Sequence, residues 1–164
     1  MQKEVAKYCR TCETCQKTKA ERKKNRGLLQ PLPIPSKCWE EISMDFLTHF
    51  PLTQHGHSAI YVVVDRLSKM AHFIPTHDNA TPEYTAKLFL DHIIKLHGVS
   101  KSIVSDRDGK FTSDFWIQLF KYLGTNLDMS SARHPETDGQ TEKTIQTLEA
   151  YLRQYISYNQ KDWD

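Results

Sequence analysis

The feature that most constrains the fold is an unbroken run of six apolar residues, Ala59–Val64. Its β-branched and aromatic side chains predict a central strand, which we place at Ser58–Asp65. The run is far shorter than the roughly 20 residues that a membrane-spanning helix needs, so no membrane segment is expected. With 164 residues, 38% of them hydrophobic and 26% charged, the chain has room for one buried core and a small appendage.

Two further strands are predicted beside this one. Residues 42–48 alternate in polarity, which places Asp45 on the face opposite to Met44. A third strand is expected over residues 69–75, after a tight turn. Three strands joined by short connections predict an antiparallel meander.

Helices and strands alternate in the rest of the chain. A helix begins at Thr81, which is followed by Pro82 and Glu83. Its predicted apolar stripe is Ala86, Phe89, Leu90, Ile93, Ile94 and Leu96. The later elements are a strand at Ser102–Ser105, a helix at Phe111–Leu123, a strand at Thr125–Met129 and a last helix with Ile145, Leu148, Leu152, Tyr155 and Ile156 on one face. This order predicts an α/β fold with a mixed five-stranded sheet flanked by helices.

A basic segment precedes the predicted core. The first 30 residues contain nine Lys or Arg and three Glu, a charge of +6, which leaves −4 for the other 134 residues. Such a segment is typical of a protein that approaches a polyanion, and a solvated tail is the alternative. Prolines at 31, 33 and 35 favour an extended path. The predicted boundaries are a segment over residues 1–26, a linker over 27–37 and a core over 38–164.

Three of the four cysteines lie in this basic segment. Cys9, Cys12 and Cys15 form two overlapping C-x-x-C pairs, a spacing that supplies half of the ligands of a structural zinc site. No histidine precedes Cys9, so reduced cysteines without metal are the alternative. Cys38, beside Trp39, is expected to be a small buried apolar residue.

Three acidic residues are candidates for a metal site. Asp45 lies within a strand, where aspartate is disfavoured, and Asp106 directly follows a short strand. Glu142 lies in the first turn of the last helix, three residues before Ile145, and is expected to face inward. Carboxylates that meet in this way repel one another unless they are protonated or bind hard cations such as Mg²⁺.

Two of these acids, Asp106 and Glu142, also have a structural interpretation. Asp106 can support the turn that follows its strand, and Glu142 can complement a helix dipole. Asp65 is a fourth candidate, for which an ion pair with Arg66 is the preferred interpretation. The pattern by itself therefore suggests a metal site and leaves the structural alternatives open.

Four blocks of sequence, in order, resemble the integrase core of gypsy-class LTR retrotransposons. The blocks are Met44–Phe46, Tyr61–Phe73, Ser105–Thr112 and His134–Glu142. That group is related to retroviral integrases and has an RNase H-like fold. Its metal-binding triad is two aspartates and a glutamate, and thirty-five residues separate the second from the third, as they separate Asp106 from Glu142 here. The resemblance implies that Asp45, Asp106 and Glu142 are catalytic and bind two Mg²⁺ or Mn²⁺ ions.

The resemblance also implies a reaction and partners. The family trims the 3′ ends of element cDNA and joins them to target DNA. Candidate contacts to DNA are Arg133, His134, Gln140 and Lys143, for which a solvated surface is the alternative. A homo-oligomer is expected, located in the nucleus and, within a polyprotein particle, in the cytoplasm.

The N-terminal segment resembles the end of the family's His-His-Cys-Cys zinc domain. Cys12 and Cys15 match its cysteine pair, and Zn²⁺ is expected only if a longer chain supplies the histidines. The core is expected to stop short at its C-terminal end. Two alternative functions remain, namely a catalytically inactive, domesticated DNA- or chromatin-binding relic and an RNase H-like nuclease.

Overall fold

The computed structural model describes residues 1–14, 34–129 and 139–164, apart from the side chains of residues 139–141. Its elements are α1 (Gln2–Thr11), β1 (Glu41–Leu47), β2 (Ala59–Asp65), β3 (Ala71–Thr76), α2 (Pro82–Phe89), a π-helical turn (Leu90–Ile94), α3 (Lys95–His97), β4 (Ser102–Ser105), α4 (Asp114–Leu123), β5 (Asn126–Met129) and α5 (Gly139–Tyr155). The five predicted strands are all present, and the predicted helices alternate with them in the expected order.

One five-stranded sheet organises the core, in the order β3-β2-β1-β4-β5. The pairs β1–β2 and β2–β3 are antiparallel, whereas β1–β4 and β4–β5 are parallel. The predicted meander and the predicted mixed sheet are therefore both confirmed. All seven residues of β2 are buried, as expected for the apolar run, and β1 is the middle strand.

The two faces of the sheet are covered by different helices. On one face, side chains such as Met44 and Tyr61 pack against Phe89 of α2 and against aromatic residues of α4. On the other face, a smaller cluster joins Val62 and its alternate neighbours in β2 to α5 and Trp163. Asp45 pairs with Val62 in the β1–β2 register, so Asp45 lies on the face that α5 covers.

The apolar stripe predicted before β4 is only partly buried. Phe89 and Ile93 are buried, but Leu90 and Leu96 are 47% and 64% exposed. At Leu90–Ile94 the chain forms a π-helical turn, in which five rather than four residues separate the bonded groups. The wider turn breaks the 3.6-residue period on which an α-helical stripe depends.

Two other positions expected in the core are exposed. Cys38 is exposed, because the neighbouring Trp39 is the residue that enters the core at this point. Tyr155 is 76% exposed, and the apolar contacts of α5 are made by Leu148, Leu152 and Ile156.

Asp65 has a structural role, as expected, but through different partners. Its fully buried carboxylate accepts hydrogen bonds from the backbone N–H of Trp39 at 2.8 Å and of Ser68 at 2.9 Å. Arg66 pairs instead with Glu41. Burial raises the pKa of Asp65, but the hydrogen bonds outweigh burial and hold the pKa below its ordinary value of 3.8. Asp65 thus fixes the turn after β2 and the entry of Trp39 into the core.

The N-terminal predictions are tested only as far as residue 14. Cys12 caps the C-terminus of α1, and its N–H donates to the Tyr8 carbonyl at 2.9 Å. Cys15 and most of the predicted linker lie outside the described residues, so the zinc half-site and the domain boundaries remain predictions. In the part of the chain that the structure describes, no helix is long and apolar enough to cross a membrane.

Candidate active site

The pairing of β1 with β4 places two of the predicted acids side by side. These strands are parallel, and Met44 lies opposite Ser105. Asp45 and Asp106 each come next in the chain, so they lie at the same edge of two strands that are about 4.8 Å apart. The carboxyl ends of parallel strands are a common location for ligand sites in α/β folds.

Asp45 lies in an environment that disfavours its negative charge. Burial raises the pKa of Asp45 to about 6 from an ordinary value of 3.8. The hydrogen bond that the Phe46 N–H donates to Asp45 Oδ1, at 2.7 Å, lowers the pKa, while the charges of Asp106, Glu142 and Asp108 raise it. Asp45 therefore experiences the negative charge of both other members of the predicted triad.

Asp106 begins a tight loop in which side chains bond to the local backbone. The Asp106 carboxylate accepts a hydrogen bond from the N–H of Asp108 at 3.1 Å, and the Asp108 carboxylate accepts one from the N–H of Lys110 at 2.8 Å. The structural interpretation of Asp106 as a turn residue is therefore confirmed. Turn formation is compatible with metal binding, because a carboxylate offers about four lone-pair sites.

Glu142 approaches the site from α5. This helix packs on the sheet through Ile145, which is 8% exposed, and through Leu148. Glu142 itself is exposed, so the prediction that it faces inward is wrong. A residue three positions before Ile145 lies at the flank of the apolar stripe, from which its charge still acts on Asp45.

The donor set suits a hard divalent cation. Mg²⁺ and Mn²⁺ prefer carboxylate oxygens, and these are the groups that Asp45, Asp106 and Glu142 supply. Among the described side chains, however, no three His, Cys, Asp or Glu residues are arranged to hold a metal ion.

Most of the predicted contacts to DNA lie outside the described residues. Arg133 and His134 fall within residues 130–138, and the side chain of Gln140 is not described. Lys143 is described and is exposed in the first turn of α5, where an ammonium group can reach a phosphate. The DNA-binding role of these four residues stays a prediction.

Two residues near the site have no sequence-based prediction. Asp108 adds a further negative charge that acts on Asp45. Lys110 Nζ lies 3.4 Å from an Asp108 carboxylate oxygen and 4.5 Å from the centre of the Phe46 ring. The sequence feature that could have indicated them is the spacing of Asp106, Asp108 and Lys110 at every second position. In a loop that spacing does not determine where a side chain points.

An open cleft lies between the end of β1 and the C-terminal part of the chain. It has a volume of about 1130 Å³ and is lined by residues 46–51, by the second half of α5 and by residues from Ile156 to Trp163 that follow this helix. None of the three predicted acids lines it, and its Arg153 is paired with Glu149 at 3.3 Å. We therefore place the candidate active site at Asp45 and Asp106, near the carboxyl ends of β1 and β4, and not in this cleft.

The raised pKa of Asp45 leads to a prediction about stability. Asp45→Asn is expected to increase the free energy of unfolding at pH 7.5, without divalent cations, by roughly 1–2 kcal/mol after allowance for solvent screening. An amide is uncharged and its oxygen can still accept the hydrogen bond from Phe46. Because the folded state binds the proton more tightly, the gain is full above about pH 6 and shrinks as the pH falls towards 3.8.

Urea denaturation over this pH range measures the effect. The matched control is Asp114→Asn, since Asp114 is exposed in the first turn of α4. An Asp45→Asn variant that is no more stable than the unsubstituted chain at pH 7.5 would show that burial and the neighbouring carboxylates do not disfavour the negative charge of Asp45.

Similar folds occur in solved structures of viral proteins. A chain in the structure of the simian T-cell lymphotropic virus intasome in complex with PP2A regulatory subunit B56 gamma has a TM-score of 0.62 and 19% identity, covering 94% of this chain and 53% of that one. The HTLV-2 integrase catalytic core domain, in complex with magnesium and in dimeric form, has a TM-score of 0.56 and 19% identity, covering 72% of each chain. The fold is therefore that of an integrase core.

The sequence comparison gives the family. Residues 35–135 match the integrase core domain family, and the chain belongs to it. The match includes Asp45 and Asp106 and ends before Glu142. The Tf2-3 and Tf2-4 transposon polyproteins of Schizosaccharomyces pombe are 39% identical over 163 residues, which is 99% of this chain. The chain spans 12% of the length of these polyproteins.

Proposed function

We propose that the chain is the catalytic region of a gypsy-class LTR-retrotransposon integrase, which trims the 3′ ends of cDNA and transfers them to target DNA. The observation that carries the proposal is the β1–β4 pairing, which places Asp45 beside Asp106 in a member of the integrase core family. Identity of 39% to transposon polyproteins, against 19% to the viral structures, supports a retrotransposon origin.

The acids are the residues that would hold the metal. Asp45 supplies a carboxylate from β1, Asp106 supplies one from the loop that follows the adjacent strand β4, and Glu142 supplies a third from α5. Two Mg²⁺ or Mn²⁺ ions held by these carboxylates would activate the attacking oxygen and stabilise the leaving oxygen of a phosphodiester. Magnesium in the HTLV-2 structure supports this choice of metal.

The three carboxylates are held by different parts of the fold. Asp45 is held in the middle strand by its pairing with Val62 of β2, and Asp106 is held by its turn. Glu142 lies on α5 and not on the sheet, so its distance from the two aspartates depends on how α5 packs. In strand transfer, the 3′-hydroxyl oxygen of the cDNA forms a bond to a phosphorus of the target DNA. The bond between that phosphorus and the 3′ oxygen of the target strand breaks at the same time. The carboxylates orient this exchange and do not themselves form covalent bonds.

The partners follow from the same proposal. The proposed partners are the ends of the element cDNA and the target DNA, which a homo-oligomer would bind. An intasome and a dimeric integrase core among the similar structures support the homo-oligomer. We extend the proposal to action in the nucleus, after assembly of a polyprotein particle in the cytoplasm. Zn²⁺ bound by Cys12 and Cys15 is proposed only with histidines from a longer chain.

A strand-transfer assay tests the function against its alternatives. Labelled DNA with an element-end sequence is incubated with target DNA and Mg²⁺ or Mn²⁺, using this chain and a version extended at both ends. Joined DNA products support the integrase. Cleavage of RNA in an RNA–DNA hybrid without joined DNA would favour the nuclease. DNA binding by both versions without any metal-dependent product would favour the inactive relic.

A further inference from the structure

The parallel ladder between β1 and β4 ends just before the two aspartates. Its last paired residues are Met44 and Ser105. Asp45 is still held on its other side by the antiparallel pairing with β2, but Asp106 is already in the loop. The ladder therefore brings the two aspartates close together, and contacts between this loop and β1 beyond the ladder can adjust the separation of their carboxylates.

Lys110 makes two contacts that join these segments. Its ammonium lies 4.5 Å from the centre of the Phe46 ring on β1 and 3.4 Å from an Asp108 carboxylate oxygen on the loop. The Lys110 side chain is 14% exposed, so both contacts are partly shielded from water. A cation over an aromatic face is more strongly bound when it is desolvated.

Each partner of Lys110 is in turn bonded to one of the aspartates. The Phe46 N–H donates to Asp45 at 2.7 Å, and the Asp108 N–H donates to Asp106 at 3.1 Å. The ammonium group thus contacts the side chains of the two residues whose backbone N–H groups bond to the aspartates. Residues of this kind, which hold metal ligands without touching the metal, strongly affect metal affinity.

We propose that Lys110 is a positioning residue that sets the separation of Asp45 and Asp106 for divalent cation binding, acting through Phe46 and Asp108. This inference rests on the proposed function, since it concerns the same metal site. The Phe111 ring stacks on Phe46 at 5.3 Å and holds the ring independently of the ammonium. A change at Lys110 therefore affects the ion pair and the cation contact while the aromatic packing remains.

The sign of the effect distinguishes positioning from simple charge compensation. If Lys110 only offsets nearby negative charge, its removal strengthens the attraction for a divalent cation. If Lys110 positions the aspartates, its removal weakens cation binding even though a repelling positive charge is lost. The two roles predict opposite changes in the same measurement.

The experiment is a Mn²⁺ titration followed by electron paramagnetic resonance, with the melting temperature measured in the absence of metal. Lys110→Met keeps an unbranched apolar side chain over Phe46 and is expected to weaken Mn²⁺ binding about tenfold. The separate variant Lys110→Arg is expected to keep most of the Mn²⁺ affinity of the unsubstituted chain, because a guanidinium keeps the charge and also stacks on aromatic rings. The matched control is Lys121→Met on α4, where the side chain is exposed and the affinity should not change.

The outcomes separate this inference from the proposed function. Unchanged or tighter Mn²⁺ binding by Lys110→Met, with Asp106→Asn weakened, overturns only the role of Lys110. A lower metal-free melting temperature with unchanged affinity also overturns it, since that result assigns Lys110 to the fold alone. Absent Mn²⁺ binding by the unsubstituted chain, or equal binding by Asp106→Asn, overturns the proposed metal site and this inference with it.

Discussion

Replacing Asp106 by Asn is expected to reduce metal-dependent strand transfer by at least about 100-fold. The amide keeps the size of the side chain and an oxygen that can accept the N–H of Asp108, so the turn should persist. What is lost is the negative charge beside Asp45 at the edge of the sheet, where the cations are proposed to bind. The measurement is the yield of joined DNA per unit time in Mn²⁺, in this chain and in the extended version.

The control for this substitution is another aspartate outside the site. Asp114 is exposed at the start of α4, and Asp114→Asn should transfer strands at the unsubstituted rate. Joined products that form equally fast with Asp106→Asn would remove Asp106 from the triad. Circular dichroism confirms in each case that the substituted chain is folded.

The second large effect is expected in the core. Trp116 is fully buried, and its ring lies 5.3 Å from that of Phe111 and 4.7 Å from that of Phe120. Trp116→Ala removes this aromatic packing and leaves a cavity, so the free energy of unfolding should fall by about 3–5 kcal/mol. Urea denaturation at neutral pH measures the loss.

Two variants make the stability test specific. Tyr122 lies on the same helix and is 87% exposed, so Tyr122→Ala should change the free energy of unfolding by no more than about 0.5 kcal/mol. Trp116→Phe should cost less than Trp116→Ala, because Trp116 Nε1 is buried without a hydrogen-bond partner among the described residues. Equal losses for Trp116→Ala and Tyr122→Ala would contradict the placement of Trp116 in the core.

The strands were predictable because their signal is local. The run Ala59–Val64 has no polar interruption, and an alternating segment and a short apolar segment predict β1 and β4 without reference to the rest of the chain. The proximity of Asp45 and Asp106 follows from the same signals, once the two strands are neighbours in the sheet. The part of the site that lies on the sheet is therefore predictable from local sequence patterns.

The remaining features depend on tertiary structure. Glu142 is exposed because it lies at the flank of the α5 stripe, and the exact flank is set by how α5 docks on β2. The π-helical turn at Leu90–Ile94 has no counterpart in a 3.6-residue pattern. Lys110 is in a loop, where the contacts with Phe46 and Asp108 arise from the path of the folded chain.

Three carboxylates, from Asp45, Asp106 and Glu142, are proposed to bind divalent cations at the ends of β1 and β4. The most direct measurement is anomalous diffraction from crystals soaked in Mn²⁺. We predict a strong peak between the carboxylates of Asp45 and Asp106, with Glu142 turned towards it from α5. Ordered carboxylates that point apart, with no manganese between them at saturating concentration, would contradict the claim.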